Sequence, residues 1–219
     1  MFTRESKITG VLSPVERISE ILFGLIMTLS ITGTVSVVTE GREAVGAMLL
    51  GVLGCNIAWG FIDGILYLLG MISEHGREHI LHELIQQSRD PEKTRAVIAD
   101  ELPSFVAGAL LPEDFDAIHQ RLVHMPDKPR RQVMSRQDLL GAAGVFLLVV
   151  LSCVPLMVPF LFISDPLPAL RVSNAVAILM LFIGGYFLAK NARLPKFLTG
   201  IVMVILGVVM VGITIALGG

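Results

Sequence analysis

Charge is scarce in this chain and unevenly spread. Asp, Glu, Lys and Arg make up 16% of the 219 residues, against 53% hydrophobic, and the mean hydropathy is +0.74. Soluble domains carry roughly a quarter charged residues, so the composition excludes an ordinary soluble domain. Cysteine is almost absent as well. Cys55 and Cys153 both fall inside apolar runs, which argues against a structural disulfide and favours small buried hydrophobes over a metal pair. Several chemistry-bearing motifs are missing: a Gly-rich phosphate loop, a Ser-His-Asp arrangement and a basic stripe for nucleic acid. HILHE at 79–83 lacks the HExxH order of zinc proteases. No enzyme, no prosthetic group and no nucleic-acid partner are expected.

What is present is long apolar sequence. A bilayer core of roughly 30 Å needs about 20 apolar residues per helix. Five runs meet that requirement: Ile18–Thr39, Val45–Ile72, Leu139–Ile163, Val172–Ala189 and Phe197–Leu217. The first reads as a retained span, since it is long, opens with SPVE and has no small-residue cleavage site after it. The expected fold is all-α, a polytopic membrane protein of five transmembrane helices with a helical insert between spans two and three. The segment 1–72 would hold an N-terminal arm and spans one and two, 73–137 the insert, and 138–219 spans three to five.

Lys and Arg fix the expected orientation. Fifteen of the 17 lie in the N-terminal arm, the 73–137 segment and the turn carrying Lys190, Arg193 and Lys196, which leaves Arg42 and Arg171 for the opposite loops. The N-terminus and insert are therefore expected in the cytosol, with the tail Gly218–Gly219 outside.

Within the spans, polar residues are the informative exceptions. SPVE reads as a capping box: Ser13 caps, Pro14 takes the first helical position and Glu16 reaches back. Glu20 follows near the inner mouth, either as a functional acid or as an interfacial charge paired with Arg17. Met27 shares its face two turns on, either lining a metal path or simply packing. The hydroxyls of Thr28, Ser30, Thr32, Thr34 and Ser36 can bond to their own helix and prove little alone. In GCNIAWGFIDGILYLLG, residues 54–70, Asp63 lies at least two turns from either end of its span. A carboxylate at the centre of a bilayer costs about 2.5–3.5 kcal/mol on the lenient scale, so it is expected to face the bundle interior or water. Gly60 and Gly64 form a GxxxG that admits a close neighbour, and Asn56 shares the face of Gly60 and Asp63. Function and a structural hydrogen bond across helices both remain open for Asp63 and for Asn56. Pro155 and Pro159 should kink the third span.

The insert holds 11 of the 19 acids and all five histidines. On a helix His75, Glu78, His79 and His82 share one face at i, i+3, i+4 and i+7. Imidazole and carboxylate at that spacing suit a divalent first-row metal, and a His-rich solvated face is the plain alternative. Such a site would compete with protons, because imidazole ligates only when neutral. Beyond it, Asp90 and Pro91 start one helix and Pro112 another. His119, Glu113, His124 and Met125 are further possible ligands, and MPDKPRR at 125–131 reads as a basic linker.

The plan of two spans, a charged helical insert and three spans resembles the vacuolar iron transporter family. SEILFGLIM at 19–27, PLMVPF at 155–160 and LMLFIGGYFLAKNARLPKFLTGIVMVILGVVMVGITIALGG resemble the family's first span, the proline-rich end of its third and its last two spans. The resemblance implies a dimer that moves Fe²⁺, Mn²⁺ or a related divalent ion out of the cytosol against protons, here as a divergent member in a bacterial inner membrane. Glu20 matches the family's first acid, Met27 stands in place of the second, and Asn56 stands where span two has an acid. Gly64 stands where the family has a Met, with Asp63 alongside. Glu20, Met27, Asn56 and Asp63 would then line the pathway, while His75, Glu78, His79 and His82 load it with metal. The alternative expectation is a membrane scaffold or metal sensor of the same architecture that transports nothing.

Overall fold

The computed structural model describes residues 12–34, 37–88, 90–125 and 134–216, and no strand occurs among them. Arg4, Lys7, Ser36, the linker beyond Met125 and the Gly218–Gly219 tail lie outside the described residues. The helices are α1 (Pro14–Thr34), α2 (Val37–Gln87), α3 (Pro91–Glu101), α4 (Ser104–Ala107), α5 (Pro112–Val123), α6 (Arg136–Ser152), α7 (Val154–Phe162), α8 (Pro166–Ala192) and α9 (Lys196–Ala216).

Local chemistry explains where most of them start and stop. The Ser13 N–H donates to Glu16 Oε2 at 2.7 Å and the Glu16 N–H to Ser13 Oγ at 3.2 Å, the reciprocal box expected at the head of α1. Asp90 caps α3 by accepting from the Glu92 and Lys93 N–H groups, and Asp114 accepts from the Leu111 N–H at the head of α5. α2 is the surprise. It runs 51 residues, through the point near Ile72 where the polar sequence begins. Gly70 and Gly76 each cost about 1 kcal/mol relative to Ala, too little to stop a helix otherwise rich in Leu, Glu and His. It ends at Gln87, ahead of the Asp90–Pro91 start.

The third apolar run is interrupted as its prolines require. α6 ends at Ser152 and α7 begins at Val154, with Cys153 between and Pro159 inside α7. Ser152 Oγ and Cys153 Sγ donate back to the Val149 and Val150 carbonyls, a local repair of the broken ladder.

Among the described residues three helices are long and apolar enough to cross a membrane: Ala44–Gln87, Arg136–Phe162 across the kink, and Pro166–Ala192; the apolar stretch Lys196–Met210 is shorter. Large side chains project outward from these spans, among them Phe61 at 63%, Leu140 at 62% and Leu161 at 70% exposure. That pattern fits helices surrounded by lipid.

The chain forms two compact units, 1–68 with 136–219, and 69–135, so the boundary falls inside α2. In the first unit α1 packs against α6, α8 and α9. Its Leu22, Leu25 and Leu29 interlock with Leu156 of α7 and with Ala177 and Leu181 of α8. Val45 and Met48 of α2 meet Phe160 and Ala169 in a second cluster. The second unit has its own core of Ile85, Ile98 and Phe115. Arg95 clamps Asp116 through two bonds of 2.8 and 2.5 Å, and Arg77 bonds Glu101 at 2.7 Å.

Candidate functional site

The first turns of α1 set out two faces. Pro14, Arg17, Ile18 and Ile21 share one, while Glu16 and Glu20, four apart, share another. Arg17 donates through Nε and Nη2 to the Leu12 carbonyl at 3.0 and 2.8 Å, so its guanidinium holds the chain entering the helix. Glu20 meets α2. The charges of Asp63 and Glu16 both act on Glu20, and those of Glu16 and Asp138 act on Tyr67. Acids from α1 and α6 therefore lie near Tyr67 of α2, and Glu20 lies near Asp63. Tyr67 is 4% and Asp138 6% exposed, and Asp63 Oδ2 is buried without a hydrogen-bond partner.

Two turns along α2, Asn56 is fully buried. Its Nδ2 donates to the Val52 carbonyl at 3.0 Å and to Thr28 Oγ1 at 3.3 Å, and Thr28 donates in turn to the Gly24 carbonyl at 2.8 Å. Asn56 Oδ1 has no partner. It faces Gly24, where an added Cβ would stand 3.2 Å from that oxygen and 2.8 Å from the Val149 carbonyl. Ser152 of α6 touches the same spot. Helices α1, α2 and α6 thus cross at Gly24, Asn56 and Ser152, a polar knot inside apolar helices.

Glycine makes that crossing possible. A Cβ on Gly60 would lie 3.1 Å from the Phe146 carbonyl, and one on Gly64 would lie 3.2 Å from that of Ala142. From the other side, Gly141 presents bare backbone to the Tyr67 ring, which a Cβ there would overlap. The expected GxxxG does receive a second backbone, that of α6.

Glu20 and Asp63, picked from sequence, are brought together. Met27 is half-buried, but the α1 partner of Asn56 is its neighbour Thr28, about 100° further around the helix. Periodicity from Glu20 leads to Met27 and passes over Thr28. Thr28, Ser152, Tyr67 and Asp138 are the residues that sequence reasoning missed. The hydroxyls of α1 can bond to their own helix, as Ser30 and Thr32 do, and that leaves nothing in the sequence to single out Thr28.

His75, Glu78, His79 and His82 do share a half-buried face of α2, yet among the described residues no group of three or more His, Cys, Asp and Glu is placed to hold a metal. The reason is axial distance. Positions i to i+7 extend about 10 Å along a helix, whereas metal–ligand bonds are about 2 Å, so one straight helix cannot close all four on one ion. His119 Nε2 lies 3.1 Å from the Ile85 carbonyl and His124 Nδ1 2.7 Å from that of Gln120. Each must carry its proton there to donate, so those nitrogens are not ligands. Cys55 and Cys153 are both free thiols.

Compared with models of protein families and with curated proteins, the chain matches none.

Proposed function

We propose that this protein is a secondary transporter that exports divalent metal ions such as Fe²⁺ or Mn²⁺ from the cytosol in exchange for protons. In this reading it has five spans, α1 and α9 joining the three long apolar helices. The N-terminus and insert are cytosolic, the C-terminus lies outside, and the protein works as a homodimer in a bacterial inner membrane. One observation carries the reading: Glu20 of α1 and Asp63 of α2 lie near enough for their charges to act on one another, and a buried Asp63 oxygen has no hydrogen-bond partner. An intramembrane acid is costly to keep and marks an ion or proton path. Carboxylate oxygens suit hard divalent ions.

The competing reading is a scaffold or sensor that moves nothing. The glycine-lined contact of α2 with α6 favours it, since a close-packed seam needs no passage. Liposome flux separates the two. With an entrapped metal-quenched dye, the parent protein should give Fe²⁺- or Mn²⁺-dependent quenching that Asp63→Asn reduces at least tenfold. No flux from the parent would favour the scaffold; equal flux from both would remove Asp63 from the path.

A further inference from the structure

A groove of about 610 Å³ runs along the first unit where α1 meets α8, and none of its lining takes part in the acid cluster. Its wall on α1 is the Pro14, Arg17, Ile18 and Ile21 face, and on α8 it extends from Met180 through Ile183 and Phe187 to Asn191. Gly184 forms its floor: a Cβ there would stand 2.7 Å from Leu22 Cδ2, so the two helices pack tightly at that point. Ile183 and Phe187 are 43% and 47% exposed, so the groove is open to whatever surrounds the helix.

The groove is apolar along its length and polar at one end. From Met180 to Asn191 the helix rises about 16 Å, close to half of the roughly 30 Å hydrocarbon core, which is one leaflet. At that end stand Arg17 and Asn191, with the exposed Lys190 and Arg193 beside Asn191 in sequence. The Arg17 guanidinium is held in place at Nε and Nη2 by the Leu12 carbonyl, which leaves its Nη1 edge to meet an anion. A guanidinium is the side chain best matched to phosphate oxygens. Asn191 Nδ2 donates to the Phe187 carbonyl at 2.9 Å and so stays along its helix at the rim.

We propose that this groove is a binding site for one anionic phospholipid, with an acyl chain against Ile18, Ile21, Met180 and Ile183 and the phosphate at Arg17. Length, apolarity and the single-ended positive charge match a lipid in place and would not suit a water-soluble anion. Basic residues at the membrane surface also concentrate anionic lipid there. The site does not depend on metal transport, and its test reads no flux.

The purified full chain would be delipidated and offered phosphatidylglycerol, phosphatidylcholine of the same acyl chains, or inorganic phosphate. Bound lipid is counted by native mass spectrometry and thermal unfolding is followed in parallel. Phosphatidylglycerol should be retained at least tenfold over phosphatidylcholine and should raise the unfolding temperature, while inorganic phosphate does neither. Arg17→Gln should abolish the preference, whereas Arg171→Gln, on a cation outside the groove, should keep it. Because Arg17 also holds the chain start, Ile183→Trp gives a second arm: it fills the groove with the guanidinium intact and should lower retention of both lipids. Equal retention of the two lipids by the parent protein, a preference unchanged in Arg17→Gln, lipid retention unchanged in Ile183→Trp, or an equal response to inorganic phosphate would each overturn the proposal.

Discussion

Asn56 is costly where it stands. A buried acceptor with no partner forfeits about 1–3 kcal/mol, and Asn56 Oδ1 is such an acceptor at a fully buried position. Its amide nitrogen recovers part of that through Val52 and Thr28. A residue kept for packing alone would be better replaced by an apolar one of similar size. Asn56→Leu should therefore shift the thermal midpoint in detergent by only a few degrees, in either direction, while lowering metal flux at least tenfold. Flux at the parent level would assign Asn56 to the helix crossing and remove it from the path. Asp63 was legible in the sequence because a carboxylate stands out against apolar neighbours whatever the fold. Thr28, Ser152 and Tyr67 were not, because each matters only through a residue on another helix, and hydrophobic period says nothing of which helices are neighbours.

At the scale of elements, glycines divide by what they face. Gly141 sits against the Tyr67 ring, whereas Gly51 on α2 has nothing within 4 Å of a built Cβ. Gly141→Ala should cost about 1–3 kcal/mol through overpacking, and Gly51→Ala should be neutral or stabilise by up to about 1 kcal/mol through helix propensity. Denaturation of both variants in mixed micelles checks the contrast; equal effects would mean that α2 and α6 do not meet as described. Helix starts were readable because caps are local: Ser13 with Glu16, and Asp90 with Pro91, act within one turn. The continuation of α2 past Ile72 was not, since the change from apolar to polar sequence marks a change of surroundings and leaves the backbone unbroken.

The α3–α5 contact adds a dependence on pH. The Arg95 guanidinium bonded to it holds the Asp116 carboxyl below the ordinary range. A lowered folded-state value stabilises the folded unit above the unfolded value, near 3.9, and that contribution is lost as pH falls through the folded value. The pair is exposed, so the effect is small. Asp116→Asn should lower the stability of the 69–135 unit modestly at neutral pH, and the gap from the parent should close in strong acid. Urea titrations from pH 7 down to about pH 2 measure it, and a gap that stays constant across that range would assign the loss to packing.

For the whole molecule, the question is how many helices cross the membrane. Ala44–Gln87, Arg136–Phe162 and Pro166–Ala192 qualify by length and composition. α1 and α9 are 21 residues each, enough for about 31 Å of helix, but α1 begins with Glu16, Arg17 and Glu20. The two counts differ in where they place the ends. If the 69–135 unit is cytosolic, as proposed from its cations, Asp165, between α7 and α8, lies outside under either count. With five spans the N-terminal arm is cytosolic, opposite Asp165; with three, it shares the outer side. Half-buried Glu20 favours five, because a helix lying at the surface has no need to bring an acid near Asp63. In a background of Cys55→Ser and Cys153→Ala, an impermeant thiol reagent applied to intact cells should label Asp165→Cys directly. Ser6→Cys and Leu194→Cys should react only after permeabilisation. Direct labelling of Ser6→Cys alongside Asp165→Cys would take α1 out of the bilayer and with it the proposed path between Glu20 and Asp63.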